Sequence, residues 1–532
     1  VLQVSAELAP WVKTGGLADF NAALSPALRA VGVDARLLLP GFRPLLEAAL
    51  PVQVVGLCTD TAGGPAVGPF RLLAATLGEV PVYLIDAPDL YRRPGTPYGP
   101  PAGGDWPDND LRFGLLSWVA AHLGELLGAD CDGAHSNGLG QGEAGSAWTP
   151  DIVHGHDWHA GLVAWWLHER RQLTGRGGAS GLAPVPRCVM TVHNLAYQGL
   201  FDASRLARLG LPADGLVPAG FEFHGRIGFM KAALVWADAV LTVSPTHARE
   251  ILTPDFGCGL EGVLRMRARP PEGILNGVDP QVWNPASDAR LPSRYDRKDM
   301  AGKAQCRARL QTELGLDPTR PGPLVGVVSR LTGQKGIDLL MAAMPDALRS
   351  GASLALLGSG DPALELALRR LAIHHAGSVA VRIGQDEALA HRLIAGADLL
   401  AVPSRYEPCG LTQLYALAYG TLPLVRRTGG LADTVHEGRN GFVFEAAESA
   451  AIAAALARAR RVWRDPPSWQ ALQRNAMSER HDWRATAQTH LPVYESLMAE
   501  DAEGHAEGHA ASARPAVVAP AAARAAQAMV AA

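Results

Sequence analysis

The sequence predicts an α/β protein in which two parallel sheets, each flanked by helices, border one deep cleft. Three observations carry this. Short β-branched or leucine-rich runs alternate with longer helical patterns along the whole chain, as in parallel sheets covered on both faces. The runs fall into two clusters. The string Thr-Gly-Gly-Leu-Ala-Asp occurs once in each half, at Thr14–Asp19 and Thr428–Asp433, preceded by Lys13 and by Arg427. Glycine pairs expose backbone N–H groups and leave room for a ligand, and the cation adds positive charge, so both copies are expected to face one ligand.

The opening Val-Leu-Gln-Val-Ser-Ala-Glu-Leu has no basic segment and meets Glu7 at once, so it reads as a buried strand and not as a signal peptide. The first cluster continues with Ala35–Leu39, Val82–Ile85, Ile152–His154, Cys188–Val192 and Ala239–Val243. Gly273–Val278 opens the second, followed by Leu324–Val328, Ser353–Leu357, Val379–Ile383, Leu399–Val402 and Leu422–Val425. Pro254, Pro270 and Pro271 interrupt the pattern and mark a hinge between about Thr253 and Gly273. This divides the chain into a first domain over 1–262 and a second over 263–480. Two segments stand apart. Asp132–Ala147 is rich in Gly, Ser and Asn and reads as a flexible insertion within the first domain, and the low-complexity tail 501–532 reads as disordered.

At 532 residues the chain exceeds one core. Its 48 basic and 52 acidic residues nearly balance, which speaks against a nucleic-acid or membrane-surface partner. No run of about 18 uncharged, strongly apolar residues could span a bilayer. The six cysteines are scattered without a C-x-x-C pair, a pattern that fits a reducing compartment, and a cytoplasmic location is expected.

Four motifs sit where strands end. His154-Gly-His-Asp-Trp-His159 follows Ile152–His154. Its histidines and aspartate admit a metal site, though the order is H-x-H-D-x-H; the alternative is a strand end that presents Asp157 to the cleft. His193 and Asn194 leave the next strand as neutral donors and acceptors suited to sugar hydroxyls. Arg330 and Lys335 lie on a strand exit and its turn, where a planar fork and a point charge can converge on a diphosphate. Glu407 stands between a strand end and a helix start, beside Gly410, Leu411 and Thr412 as N–H donors for an anion. A carboxylate beside an anion site points to transfer of a sugar from a phosphate leaving group.

These motifs resemble the bacterial glycogen synthases and the related plant starch synthases. The resemblance runs from Val1 to about Met498, apart from the insertion. It is carried by Lys13-Thr-Gly-Gly-Leu-Ala-Asp, His156-Asp-Trp-His, Thr191-Val-His-Asn-Leu-Ala-Tyr-Gln-Gly, Gly273-Ile-Leu-Asn-Gly-Val-Asp, Ser329-Arg-Leu-Thr-Gly-Gln-Lys-Gly and Glu407-Pro-Cys-Gly-Leu-Thr-Gln-Leu-Tyr. It implies two Rossmann-like domains facing a deep cleft, with a C-terminal helix, here over 481–500, crossing back to the first domain. The implied reaction moves glucose from ADP-glucose to the 4-hydroxyl at the non-reducing end of an α-1,4-glucan such as glycogen, with retention. No metal and no cofactor are implied, which sets aside the metal reading of His154–His159.

By the same resemblance Lys13, Gly15, Gly16 and Asp19 meet the nucleotide sugar, and Tyr98 lies toward the acceptor. Asp157, His193 and Asn194 face the transferred glucose, while Asn276 holds the donor. Arg330 and Lys335 hold the diphosphate, and Glu407, Cys409, Gly410, Leu411 and Thr412 surround donor glucose and phosphate. Gln385 departs from the family, which often has an aromatic residue there to stack on adenine. The rival readings are the same chemistry with UDP-glucose or a shorter acceptor, a non-catalytic glucan-binding protein, and a metallohydrolase.

Overall fold

The computed structural model describes residues 1–49, 51–128, 148–177 and 185–507. Residues Val1–His490 form one compact unit built on two large sheets.

The first sheet uses β1 (Leu2–Val4), β2 (Arg36–Pro40), β3 (Gln53–Cys58), β4 (Phe70–Leu77), β5 (Val80–Asp86), β6 (Ile152–His156) and β7 (Arg187–Val192). A separate small antiparallel sheet joins β8 (Leu200–Asp202), β9 (Glu222–Phe223) and β10 (Arg226–Gly228). The first sheet is completed by β11 (Ala239–Thr242) and β12 (Glu272–Gly273), in the order β12-β11-β7-β6-β1-β2-β5-β4-β3. Seven of these strands run parallel, but β4 pairs antiparallel with β5 and with β3. The edge strand β3 alternates exposed and buried residues, so it lacks the continuous apolar run that marks a covered parallel strand.

The second sheet comprises β13 (Leu324–Val328), β14 (Ser353–Gly358), β15 (Val379–Ile383), β16 (Leu399–Val402), β17 (Leu422–Arg426) and β18 (Phe442–Phe444), all parallel. Their order is β15-β14-β13-β16-β17-β18, the 3-2-1-4-5-6 arrangement of a dinucleotide-binding fold. Alternation explains why these strands read as unbroken apolar runs. Val325, Leu354, Leu356 and Leu399 pack into the core on one face, whereas Leu324, Ala355, Leu357 and Leu400 pack into the core on the other.

In each sheet the strand order reverses at one point, between β1 and β6 and between β13 and β16. Such crevices, beyond the carboxyl ends of the strands, are where open α/β sheets bind ligands. The motifs read from the sequence leave these strands.

Two expectations need correcting. Gly273 does not open the second strand cluster: β12 pairs with β11, Gly273 opposite Thr242, because its added Cβ would lie 2.1 Å from the Ser244 carbonyl oxygen and only glycine permits that approach. The last helix, Trp483–Glu507, extends through residues 501–507, which were expected to be disordered. Its first residues return to the first sheet's side: Trp483 meets Phe20 edge-on with centroids 5.4 Å apart, and Thr486 donates its hydroxyl to the Leu275 carbonyl at 3.0 Å. The expected insertion at 132–147 and the tail from residue 508 lie outside the described residues.

Candidate active site

The two crevices open into one cavity of about 1400 Å³. Every site residue expected from the sequence lines it: Lys13, Gly15, Gly16, Asp19, Tyr98, Asp157, His193, Asn194, Asn276, Arg330, Lys335, Glu407, Cys409, Gly410, Leu411 and Thr412, together with Gln385.

On the first side, the chain leaving β1 reaches Glu7, whose carboxylate accepts from Thr14 N at 2.7 Å, Thr14 Oγ1 at 2.5 Å and Gly15 N at 3.2 Å. Glu7 thus ties down the glycine loop, and Tyr98 donates its hydroxyl to the same carboxylate. Lys13 pairs with Asp19 at 2.7 Å. Burial pushes the Asp19 carboxyl up even so.

Asp157 follows β6 with φ 55°, a left-handed conformation rare for a residue other than glycine and concentrated at functional sites. Its Oδ1 accepts from His193 N at 2.7 Å and Asn194 N at 3.3 Å, which locks the exit of β7. Burial pushes its carboxyl up to about 7 against those two bonds. The His193 ring is pushed down to about 3, again chiefly by burial, so it is neutral.

On the second side, Arg330 leaves β13 exposed, with no ion-pair partner among the described residues. Lys335 Nζ lies 2.5 Å from Glu407 Oε2, which also accepts from Ser404 Oγ at 2.8 Å. Gly336 makes that approach possible: at φ +63°, its added Cβ would sit 2.1 Å from the Pro403 carbonyl oxygen. The buried Asn276 side-chain oxygen has no hydrogen-bond partner among the described residues. The Cys409 thiol is pushed up to about 12 by burial and stays protonated.

One sequence expectation differs from the arrangement. The second copy, Thr428–Asp433, is not part of the cavity wall; it packs behind it. The histidines of His154–His159 do not converge. His154 and His156 are buried behind the wall in a hydrogen-bonded chain, and His159 stacks on Tyr98 with centroids 5.0 Å apart. Among the described residues no group of three or more His, Cys, Asp or Glu side chains is placed to hold a metal ion.

Other residues of the wall went unread in the sequence. Trp283 is sandwiched between Tyr415 and His391, both at 3.8 Å, although 132 positions separate it from Tyr415 and no local pattern links them. Glu7 had a signal, a carboxylate just past the first strand and just before the glycine loop.

Residues 1–266 match the family described as starch synthase catalytic domain, and residues 322–461 match glycosyl transferases group 1. A glycogen synthase from Albidiferax ferrireducens is 48% identical over 512 residues, spanning 93% of this chain and 99% of that one. The chain belongs to the glycogen and starch synthase family. A second member, the glycogen synthase of Edwardsiella ictaluri, is 47% identical over 94% of this chain and 100% of its own. Among solved structures, the catalytic domain of starch synthase IV from Arabidopsis thaliana bound to ADP and acarbose superposes with a TM-score of 0.78. It is 30% identical and covers 93% of this chain and 98% of that one. Membership in the family makes this protein a glycosyltransferase with two Rossmann-like domains.

Proposed function

We propose that this protein transfers glucose from ADP-glucose to the 4-hydroxyl at the non-reducing end of an α-1,4-glucan such as glycogen, with retention and without a metal. The observation that carries this reading is a single cavity holding an uncommitted cation, Arg330, beside the Lys335–Glu407 pair. Residues 1–262 take the acceptor and 263–480 the nucleotide sugar. The curated relatives are named glycogen synthases, and the starch synthase structure was solved with ADP and acarbose.

The step is a substitution at the anomeric carbon. The bond from that carbon to the diphosphate oxygen breaks, its electrons stay on ADP, and the acceptor oxygen bonds to the same face. The acceptor's proton passes to the departing phosphate. Arg330 and Lys335 stabilise the negative charge that develops on the diphosphate, where a preformed cation acts without reorganisation. Glu407 holds Lys335 and offers negative charge to the oxocarbenium-like sugar. His193, neutral, and Asn194 meet sugar hydroxyls; Asp157 fixes the backbone of both. Asn276 turns its unpaired oxygen to the donor. Gly410, Leu411 and Thr412 border the phosphate side.

A cytoplasmic location belongs to the same reading. The five described cysteines are free, and no described helix is long and apolar enough to cross a membrane.

Incorporation of labelled glucose into glycogen tests the proposal, comparing ADP-glucose with UDP-glucose, each with and without EDTA. Transfer that favours ADP-glucose and ignores EDTA is expected. A preference for UDP-glucose would move the donor, and no transfer from either would leave a glucan-binding protein. Arg330→Ala should lose roughly 100-fold or more in kcat; near-normal turnover would sink the leaving-group account.

A further inference from the structure

Behind the His193 wall lies a chain of side chains that the proposed reaction does not touch. His193 Nε2 is 3.2 Å from His156 Nδ1, and His156 Nε2 is 2.6 Å from Gln3 Oε1. The other end of the same amide, Gln3 Nε2, is 3.4 Å from His154 Nδ1, and His154 Nε2 is 2.7 Å from Thr191 Oγ1. Gln3, His154 and His156 are fully buried.

Burial holds all three rings neutral: His154 and His156 lie well below the usual histidine range, and His193 is pushed down to about 3. A fourth imidazole, His490, has its centroid 5.9 Å from that of His154 and is pushed down to about 4 by burial. A neutral imidazole carries one N–H, and its two nitrogens then play opposite roles. An amide oxygen only accepts. His156 must therefore carry its proton on Nε2, which leaves Nδ1 bare. A bare Nδ1 accepts, so His193 donates from Nε2, and Nδ1 is that ring's remaining acceptor. On the far side the Gln3 amide donates to His154 Nδ1, and His154 Nε2–H donates to Thr191.

We propose that Gln3 is a positioning residue for His193: its amide, with the oxygen toward His156, fixes the His193 tautomer and leaves Nδ1 as an acceptor for a hydroxyl of the transferred glucose. This rests on the reading that His193 faces that glucose. Turning the amide end for end would reverse every proton in the chain and convert His193 Nδ1 into a donor. Gln3 is thus the element with two settings, and the short contact to His156 selects one. The rings themselves have little freedom. Phe20 packs edge-on against His156 and His193, with centroids 5.2 Å and 4.6 Å away, and Asp157 holds the His193 backbone. What remains adjustable is which nitrogen carries the proton.

Nitrogen-15 NMR of histidine-labelled full-length protein reads the tautomers directly and needs no substitution. His193 protonated on Nε2 is expected; protonation on Nδ1 overturns the proposal. Gln3→Met keeps the volume and removes both bonds. It should mix the His193 tautomers and lower kcat roughly tenfold, about the worth of one hydrogen bond, with the KM for ADP-glucose little changed. A Gln3→Met protein that loses melting temperature and kcat while its His193 tautomer stays unchanged overturns the proposal, since its effect would be structural only. His193→Ala supplies the remaining control. If its turnover is unchanged, the assignment of His193 to the sugar falls and the role of Gln3 with it. If it is inactive while Gln3→Met is not, only the role of Gln3 falls.

Discussion

In Thr14–Asp19 the two glycines border open space, whereas in Thr428–Asp433 the same two lie against main chain. A Cβ added to Gly15 would meet nothing within 4 Å, and at Gly16 only Leu411 Cδ1 at 3.5 Å. A Cβ at Gly429, where φ is +45°, would lie 1.9 Å from the Glu407 carbonyl oxygen, and one at Gly430 would lie 2.3 Å from that of Cys409. Gly430 N donates to the carbonyls of Glu407 at 3.2 Å and Pro408 at 3.1 Å. Local chemistry is otherwise shared. Each copy begins with a threonine and a glycine bound by a glutamate from elsewhere, Glu7 for the first and Glu250 for the second, at 2.8 Å to Thr428 Oγ1. Each preceding cation is paired, Lys13 with Asp19 and Arg427 with Glu445. A glycine loop is therefore a permission for close approach, and what stands opposite decides whether a ligand or a backbone uses it. The first copy lines the cavity; the second props up the segment that carries Glu407.

The sharpest way to break this comparison is Gly430→Ala. The added methyl must push the Glu407–Cys409 main chain, so roughly 100-fold or more in kcat and about 2–3 kcal/mol of stability should be lost. Kinetics and urea unfolding would read both. An unchanged enzyme would mean that the second copy props up nothing. Next comes Lys13→Ala in the first copy, where the expected effect is on donor binding: about a tenfold rise in the KM for ADP-glucose, with unfolding unaffected. Glu250→Gln should cost about 1 kcal/mol, seen as a melting-temperature drop of a few degrees, with KM unchanged. Smallest of all is Arg427→Ala, which breaks an exposed ion pair worth under about 1 kcal/mol and should leave kinetics alone. A Lys13→Ala protein that behaves like Arg427→Ala would erase the distinction between the copies.

The motifs at strand ends were legible because a parallel sheet delivers its carboxyl ends to one place, so polar residues just past an apolar run have nowhere else to go. Arg330, Glu407, Asp157 and His193 were all found this way. The roles of the glycines were not legible, because Gly15 and Gly429 are identical in sequence and differ only in a neighbour far along the chain. The same holds for Trp283 against Tyr415. The antiparallel pair β3 and β4 was missed for a different reason: an edge strand with one wet face carries a weaker apolar signal than the covered strands beside it. Gln3 was legible only as part of a buried first strand; alternation places it on one face of β1, from which it reaches both His154 and His156.

The return of the last helix sets a schedule for synthesis. Phe20 and His154 belong to the first sheet's side, but the rings that pack beside them, Trp483 and His490, emerge from the ribosome some 330 to 470 residues later. At translation rates of roughly 5–20 residues per second, a nascent chain waits about 15 to 95 seconds with that wall unfinished. The second sheet can fold meanwhile on its own local connections. Completion of the cavity thus waits for Trp483 and His490, so a polypeptide terminated before them bears nearly all the motifs of the family and lacks a finished place to use them.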